Sequence, residues 1–309
     1  MKKSRRHHYI PQFLTGHFSK DGKILAYDKI EDKYFPSTPF NLFVEKDRNT
    51  FLNANGSNDD IIEQMYSHLD EKFSSILTSI TNSGQVTGWQ YKMLLFMAYV
   101  TKWRVPQYDE SFNNAKQRFT IDDLGLGLKD DENNRLPIEL EDFLPLEMHQ
   151  EMKRLFLPLQ PFRFKKDFKK LLENSFIIPT PFSAFISDCP FNEAAIISDE
   201  IFEDFVFPIT KDLTLVYTTR VDKYQIQNFL NNGDEKKVSK FLAEFSFARD
   251  VSSLELAGRI VGCADMDYLK QVVDRYKTFK DNGSKTAFNL TVFHVLYRFT
   301  EYADGLNQY

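Results

Sequence analysis

The sequence predicts an α+β protein: one domain over residues 1–309, with a mixed or antiparallel β-sheet and a large inserted helical block. Three observations lead there. Short apolar segments bounded by turn formers lie within 1–55 and return from 174 onward. Between them, 59–173 carries apolar residues at three- and four-residue spacings. Thirty Phe against 12 Gly and 12 Pro give a core filled by rings and leave little for long disordered tracts.

The first element is set by RRHHYIPQFLTGHF at 5–18. Proline lacks an N–H and drives its predecessor towards extended conformations, so His8-Tyr9-Ile10-Pro11 is expected to be extended. Alternation then puts His8, Ile10 and Gln12 on one face, with His7 and Tyr9 on the other. KILAYD (23–28) and DKYFPS (32–37) flank the polar DKIED and predict a β-hairpin. Residues 41–53 are expected to be extended up to the turn-forming NANGSNDD.

A helix over 59–81 follows from Ile61, Ile62, Met65, Tyr66, Leu69, Phe73, Ile76, Leu77 and Ile80 sharing one face, with Asp59 or Asp60 as its N-cap. The next, from Thr87 to about Arg104, is apolar nearly all round and therefore buried, and Val105-Pro106 ends it. A weaker amphipathic helix is expected at 107–120, an irregular acidic stretch at 121–138, then helices at 139–157 and 163–173. SFIIPT (175–180), SAFISD (183–188), DFVFPI (204–209) and LTLVYTT (213–219) predict the later strands. Helices follow at 222–232, 235–248 and 265–279, while 288–299 fits helix or strand equally.

Charge and cysteine content narrow the function. The net charge of −5 does not argue for a chain that coats nucleic acid, yet KKSRRHH and FRFKKDFKK (162–170) are locally basic. A basic face on an acidic protein suits an enzyme that acts on nucleic acid without coating it; solvated charged faces are the alternative. Cys189 and Cys263 are too few for a disulfide framework or zinc cluster, which fits a reduced cytoplasm. No apolar run of signal-peptide type follows the basic start, and MLLFMAYV (93–100) is too short to span a bilayer. No HExxH, GxSxG, Walker loop or GxGxxG is present, and GLGLK (125–129) lacks the strand that would lead into a phosphate loop.

The opening histidines are the most distinctive feature. An imidazole titrates near ~6.5 and serves as acid, base or metal ligand; Gln12 adds an amide that can orient a phosphate, a base or a water. RRHHYIPQFLTGHFSKDGKILAYDK, followed by VEKDRNTF, FISDCPF and FPITKDLTLV, resembles the DUF4238 family of prokaryotic and some fungal proteins, which have no assigned chemistry. The resemblance implies a site formed by His7, His8, Tyr9, Pro11, Gln12 and Phe18, then Glu45 and Asp47, Arg104, Ser187, Asp188 and Pro190, with Phe207-Pro208 beyond. Gly16 stands where members often have a basic residue, and Cys189 replaces an Asn.

Each carried-over position admits a chemical and a structural use. Asp188 ends a strand before a proline and can cap backbone N–H groups or serve a cleft as base or metal ligand. Glu45 and Asp47 share a face if 43–49 is extended, a way to gather carboxylates for Mg²⁺ or Mn²⁺; a surface pair is the alternative. Arg104, at the end of a buried helix, needs a carboxylate, carbonyls or a phosphate, with Glu45 or Asp188 the expected partner.

Two functions follow. The first is a nuclease-like effector cleaving RNA or DNA, in a prokaryotic defence setting suggested by the family resemblance. There His8, Asp188 and Glu45 are catalytic, His7, Gln12, Arg104 and Ser187 bind substrate, and Asp47 helps hold a metal. The second is a non-catalytic ligand- or protein-binding module in which HHYIPQF fastens the N-terminus into a sheet.

Overall fold

Antiparallel pairing and helices opened by short polar caps build the chain, described in this computed structural model over residues 5–52, 56–118, 131, 132, 134, 146–162, 165–194, 203–282 and 287–303. Along the chain, β1 (Arg6–His8) leads to α1 (Gln12–Gly16), then to β2 (Ile24–Asp28) and β3 (Lys33–Ser37). These two strands pair as the expected hairpin, Ile24 opposite Ser37 and Asp28 opposite Lys33. The expected extended run over 41–53 is broken. Phe43 and Asp47 both take φ 56°, a left-handed conformation, so β4 is confined to Val44–Lys46. β5 (Phe51–Leu52) and β6 (Asn58–Asp59) form a short pair.

Next come α2 (Ile61–Ser83) and α3 (Gly88–Arg104). At the start of α2 the two expected cap residues divide the work: Asp60 stands at the N-cap but its carboxylate accepts the Thr50 hydroxyl at 2.8 Å, and Asp59 accepts the Ile61 N–H at 2.9 Å. Thr87 and Gln90 close a reciprocal capping box on α3. A 3₁₀ turn at Pro106–Tyr108 precedes α4 (Asp109–Arg118); α5 (Leu146–Phe156), a 3₁₀ stretch at Leu157–Phe162 and α6 (Lys165–Glu173) follow. GLGLK, most of the expected acidic stretch at 121–138 and the start of the expected 139–157 helix lie outside the described residues.

The later strands are β7 (Ser175–Pro179), β8 (Ile186–Ser187), β9 (Asn192–Glu193), β10 (Phe205–Thr210) and β11 (Leu213–Tyr217). Then come α7 (Lys223–Asn232), α8 (Glu235–Leu256), β12 (Ile260–Cys263) and α9 (Met266–Asp281). The chain closes through a 3₁₀ turn at Phe288–Leu290 into α10 (Thr291–Tyr297) and α11 (Phe299–Ala303), which settles the helix-or-strand alternative for 288–299 in favour of helix. Asp222, Asp234 and Asp265 cap α7, α8 and α9 by accepting backbone N–H groups two or three residues on.

The fold is α+β, with every described strand pair antiparallel. By its internal contacts the chain divides into two units: Met1–Pro11 with Phe43–Lys169, and Gln12–Leu42 with Lys170–Tyr309. The first joins the β1–β4 and β5–β6 pairs to α2–α5, and α2 buries Ile62, Tyr66, Phe73, Leu77 and Ile80. The second holds two four-stranded sheets, ordered β7-β11-β10-β9 and β3-β2-β12-β8.

Within the second unit, α8 serves both cores. Phe241, Phe245 and Ala248 pack with Phe176, Val206 and Phe293, whereas Val251 and Leu254 pack with Tyr27, Val261 and Val273. A helix buried on so many sides has little amphipathic pattern. Pro208 is tolerated within the fully buried β10 because β9 reaches only Phe205 and Val206, and the ladder to β11 shifts register beside it. No described helix is long and apolar enough to cross a membrane.

Candidate functional site

The family-like opening is fastened in the first unit by its histidines, though not in the way strict alternation requires. His7 lies opposite Glu45 on β4 and is fully buried, while His8, opposite Val44, is half-buried. The strand ends at His8, and Gln12 is the exposed first residue of α1 and belongs to the second unit. The expected shared face of His8, Ile10 and Gln12 is therefore lost: Ile10 is wholly buried, and a helix begins where the third member was to continue the strand.

His7 Nδ1 accepts the backbone N–H of Asn49 at 2.9 Å. That bond puts the ring proton on Nε2. Glu63 Oε2 stands 3.8 Å from the same Nδ1, but a nitrogen that is accepting cannot donate to a carboxylate. Glu63 is held instead by the Asn49 side-chain amide at 2.6 Å. The imidazole thus fixes the backbone just past β4, where Asp47 departs from the extended conformation.

Arg104, at the C-terminal end of α3, is buried with its guanidinium 4.2 Å from the centre of the Tyr66 ring. It donates to Asp70 at 2.6 Å and to the His8 carbonyl at 2.9 Å. Its carboxylate partner is therefore Asp70 from α2, where the sequence suggested Glu45 or Asp188. Burial pushes the Asp70 carboxyl up, opposed by the Arg104 charge and hydrogen bond and by His8. Two buried atoms here, Arg104 Nε and Tyr66 Oη, have no hydrogen-bond partner.

Glu45 and Asp47 do not share a face, because the left-handed turn at Asp47 redirects its side chain. Asp47 pairs with Arg5, and Glu45 with Arg48 at 2.8 Å. Arg48 also reaches Asp109 at 2.7 Å and the Arg104 carbonyl at 3.0 Å; Arg154 meets Asp109 at 3.0 Å and the Trp103 carbonyl at 2.9 Å. Arg104 and Arg48 thus tie β1 and β4 to the helices, and Arg154 ties α5 to the end of α3 and the start of α4. Among the described residues, no three His, Cys, Asp or Glu side chains gather where they could hold a metal ion.

Asp188 and Ser187 lie in the second unit. The buried Asp188 carboxylate accepts three successive backbone N–H groups, from Gly258 (2.9 Å), Arg259 (2.8 Å) and Ile260 (3.0 Å). Its own N–H donates to the Ile260 carbonyl. Burial pushes this carboxyl up, against the lowering effect of those donors and of Lys29. Lys29 spans the adjoining end of α8, donating to the carbonyls of Leu254, Glu255 and Ala257. Ser187, fully buried, accepts the Cys189 N–H at 3.2 Å. The pair fixes the turn from α8 into β12.

A second polar centre in this unit was not legible in the sequence. Arg249 and Asp250, both buried, form a bidentate pair at 2.8 Å, and Arg249 also reaches the Thr214 hydroxyl. Asp250 further accepts the Phe185 N–H at 3.1 Å and the Tyr268 hydroxyl at 2.7 Å. Desolvation and the Asp250 charge push the Tyr268 phenol far up. The Tyr268 ring lines a cavity of about 480 Å³ between α8 and α9. In sequence, FARDV offers only two adjacent charges in a helix, a pattern that usually marks a solvated face.

An antiparallel α+β scaffold whose HHYIP end is fastened by His7 to the backbone just past β4 and by Arg104 to the helices defines the structural class. The chain belongs to the DUF4238 family, a family described as proteins of unknown function, whose model matches residues 6–160. That span includes His7, His8, Gln12, Glu45, Asp47 and Arg104, and it ends before Ser187 and Asp188. No curated protein and no solved structure matches the chain.

Proposed function

We propose that this chain is a non-catalytic binding module, in which HHYIPQF and Asp188 fasten the scaffold and the second unit offers a ligand surface. One observation carries the reading: three of the groups a hydrolase would draw on here are already engaged within the fold. His7 Nδ1 takes a backbone N–H, Arg104 takes Asp70 and a carbonyl, and Asp188 takes three N–H groups. Three donors fill three of the carboxylate's roughly four lone-pair sites and leave it little capacity for a metal or a water. The cavity beside Tyr268 falls within the range of about 300–1,000 Å³ usual for small-molecule sites. Incubation of the purified protein with RNA and DNA, with and without Mg²⁺ or Mn²⁺, tests the reading. No cleavage is expected, and cleavage abolished by His8→Ala would overturn it.

A second reading, a nuclease-like effector in cytoplasmic prokaryotic defence, is favoured by one part of the first unit. His8 is half-buried beside the raised carboxyl of Asp70, and Arg104 Nε and Tyr66 Oη are unpartnered. In this reading His8 and Asp70 exchange a proton with substrate, while Arg104 offsets phosphate charge. Gln12, Glu45, Asp47, Ser187 and Asp188 then act on the fold alone. The same cleavage assay tests it, with Asp70→Asn beside His8→Ala: activity retained in both variants would end it.

A further inference from the structure

The cavity in the second unit carries charges of both signs around an apolar floor. Along α8, Glu244, Phe247 and Ala248 share a face by three- and four-residue spacing; Tyr268, Val272 and Arg275 do so along α9. Phe182 lies parallel to the Tyr268 ring at 5.1 Å, and the Tyr268 hydroxyl is fixed to buried Asp250. The wall is therefore held from behind by the Arg249–Asp250 pair.

Glu244 and Arg275 are both exposed and line the same cavity without pairing to each other. Glu244 accepts the Tyr302 hydroxyl. The Arg275 guanidinium sits over the Phe247 ring at 5.5 Å, and no described carboxylate pairs with it. A guanidinium over a ring keeps its N–H donors for a planar anion. A phosphate dianion would meet Glu244 as well as Arg275, and an uncharged apolar ligand would use neither.

From this we infer that the cavity binds a free amino acid with an apolar side chain. Its carboxylate lies on Arg275, its ammonium on Glu244, and its side chain on the floor of Phe247, Ala248 and Val272. The inference rests on the binding-module reading and names its ligand.

Calorimetric titration of the full chain tests it with L-phenylalanine and L-leucine. 3-Phenylpropionate lacks the ammonium, phenethylamine lacks the carboxylate, and inorganic phosphate lacks the apolar body. One amino acid, or both, is expected to bind, with each truncated analogue weaker by about tenfold or more, the cost of one charge-assisted bond. Arg275→Gln should weaken the amino acid by a similar factor. Glu244→Gln should weaken the amino acid yet strengthen phenylpropionate, which a merely structural role for Glu244 would not do. Both side chains are exposed, so both variants are expected to fold, and a thermal melt verifies it.

Equal binding of phenylpropionate, insensitivity to both variants, phosphate binding alone, or no binding of any probe each overturns the inference. These outcomes leave the binding-module reading standing, whereas nucleic-acid cleavage ends that reading whatever the titration gives.

Discussion

Replacing Asp188 by alanine removes the acceptor of three backbone N–H groups in one step. Each bond is charge-assisted and contributes about 1.5–3 kcal/mol where water cannot replace it. Gly258 and Arg259 are exposed, so water takes over much of their share after truncation; Ile260 is half-buried and begins β12. The net loss comes to roughly 2–4 kcal/mol. For a domain of this size each kcal/mol moves Tm by about 2–4 °C, which places the variant on the order of 5–15 °C below wild type. Asp188→Asn keeps one neutral acceptor and should fall between the two. The assay is a thermal melt followed by circular dichroism, with urea unfolding to confirm the free energy. A melt of Asp188→Ala within 1 °C of wild type would refute the reasoning, since losing the charge-assisted bond to Ile260 alone costs more than that.

Three further outcomes are expected. Asp250→Asn leaves Arg249 buried without its counter-charge and should cost about 3–5 kcal/mol in urea unfolding, the usual penalty for breaking a buried pair from one side; a cost below 1 kcal/mol would mean that water reaches the site. Burial holds the His17 imidazole below its ordinary value, so the unfolded chain binds that proton more readily. Its contribution to stability is complete above about pH 6.5 and is lost as pH falls through the lowered value; His17→Gln should flatten Tm against pH between about 7 and 5, and an unchanged profile would count against it. Burial pushes the Cys263 thiol up to about 12, and Cys189 is also buried, so a thiol reagent at pH 8 should label neither cysteine until denaturant is added. Rapid labelling of the native protein would contradict their burial.

The parts of the fold legible in the sequence were those decided locally. The β2–β3 hairpin follows from two apolar runs around a polar turn, and α2 from a long apolar face. β12 was missed because IVGC is short and contains a glycine, which argues against a strand. Packing favours that glycine: a Cβ on Gly262 would lie 2.7 Å from Cδ1 of the buried Ile24 and force that side chain to shift. FNLTVFHVLYRF is rich in residues that suit strands, yet it turns helical where Val292, Phe293 and Leu296 meet α8. Propensity yielded to tertiary burial there.

Alternation correctly divided His7 from His8 but failed from Ile10, which is wholly buried like His7, and a helix starts at Gln12. Glu63, Tyr66 and Asp70 were missed as partners of the opening motif. Their signal is two carboxylates at three- and four-residue steps from a tyrosine on a buried helix face, a pattern that only the position of Arg104 makes meaningful. The left-handed residues Phe43 and Asp47 carry no local mark, and they undid the expected carboxylate pair.

The most direct test of the central claim, that the HHYIPQF stretch fastens the fold, compares equilibrium unfolding of His7→Ala and His8→Ala. His7→Ala opens a buried cavity and orphans the Asn49 N–H, which together should cost about 3–5 kcal/mol. His8 is half-buried, and Arg104 grips its backbone carbonyl, which alanine keeps, so its loss should cost about 1 kcal/mol or less. A His7→Ala variant as stable as wild type, or the reverse order of the two, would contradict the account.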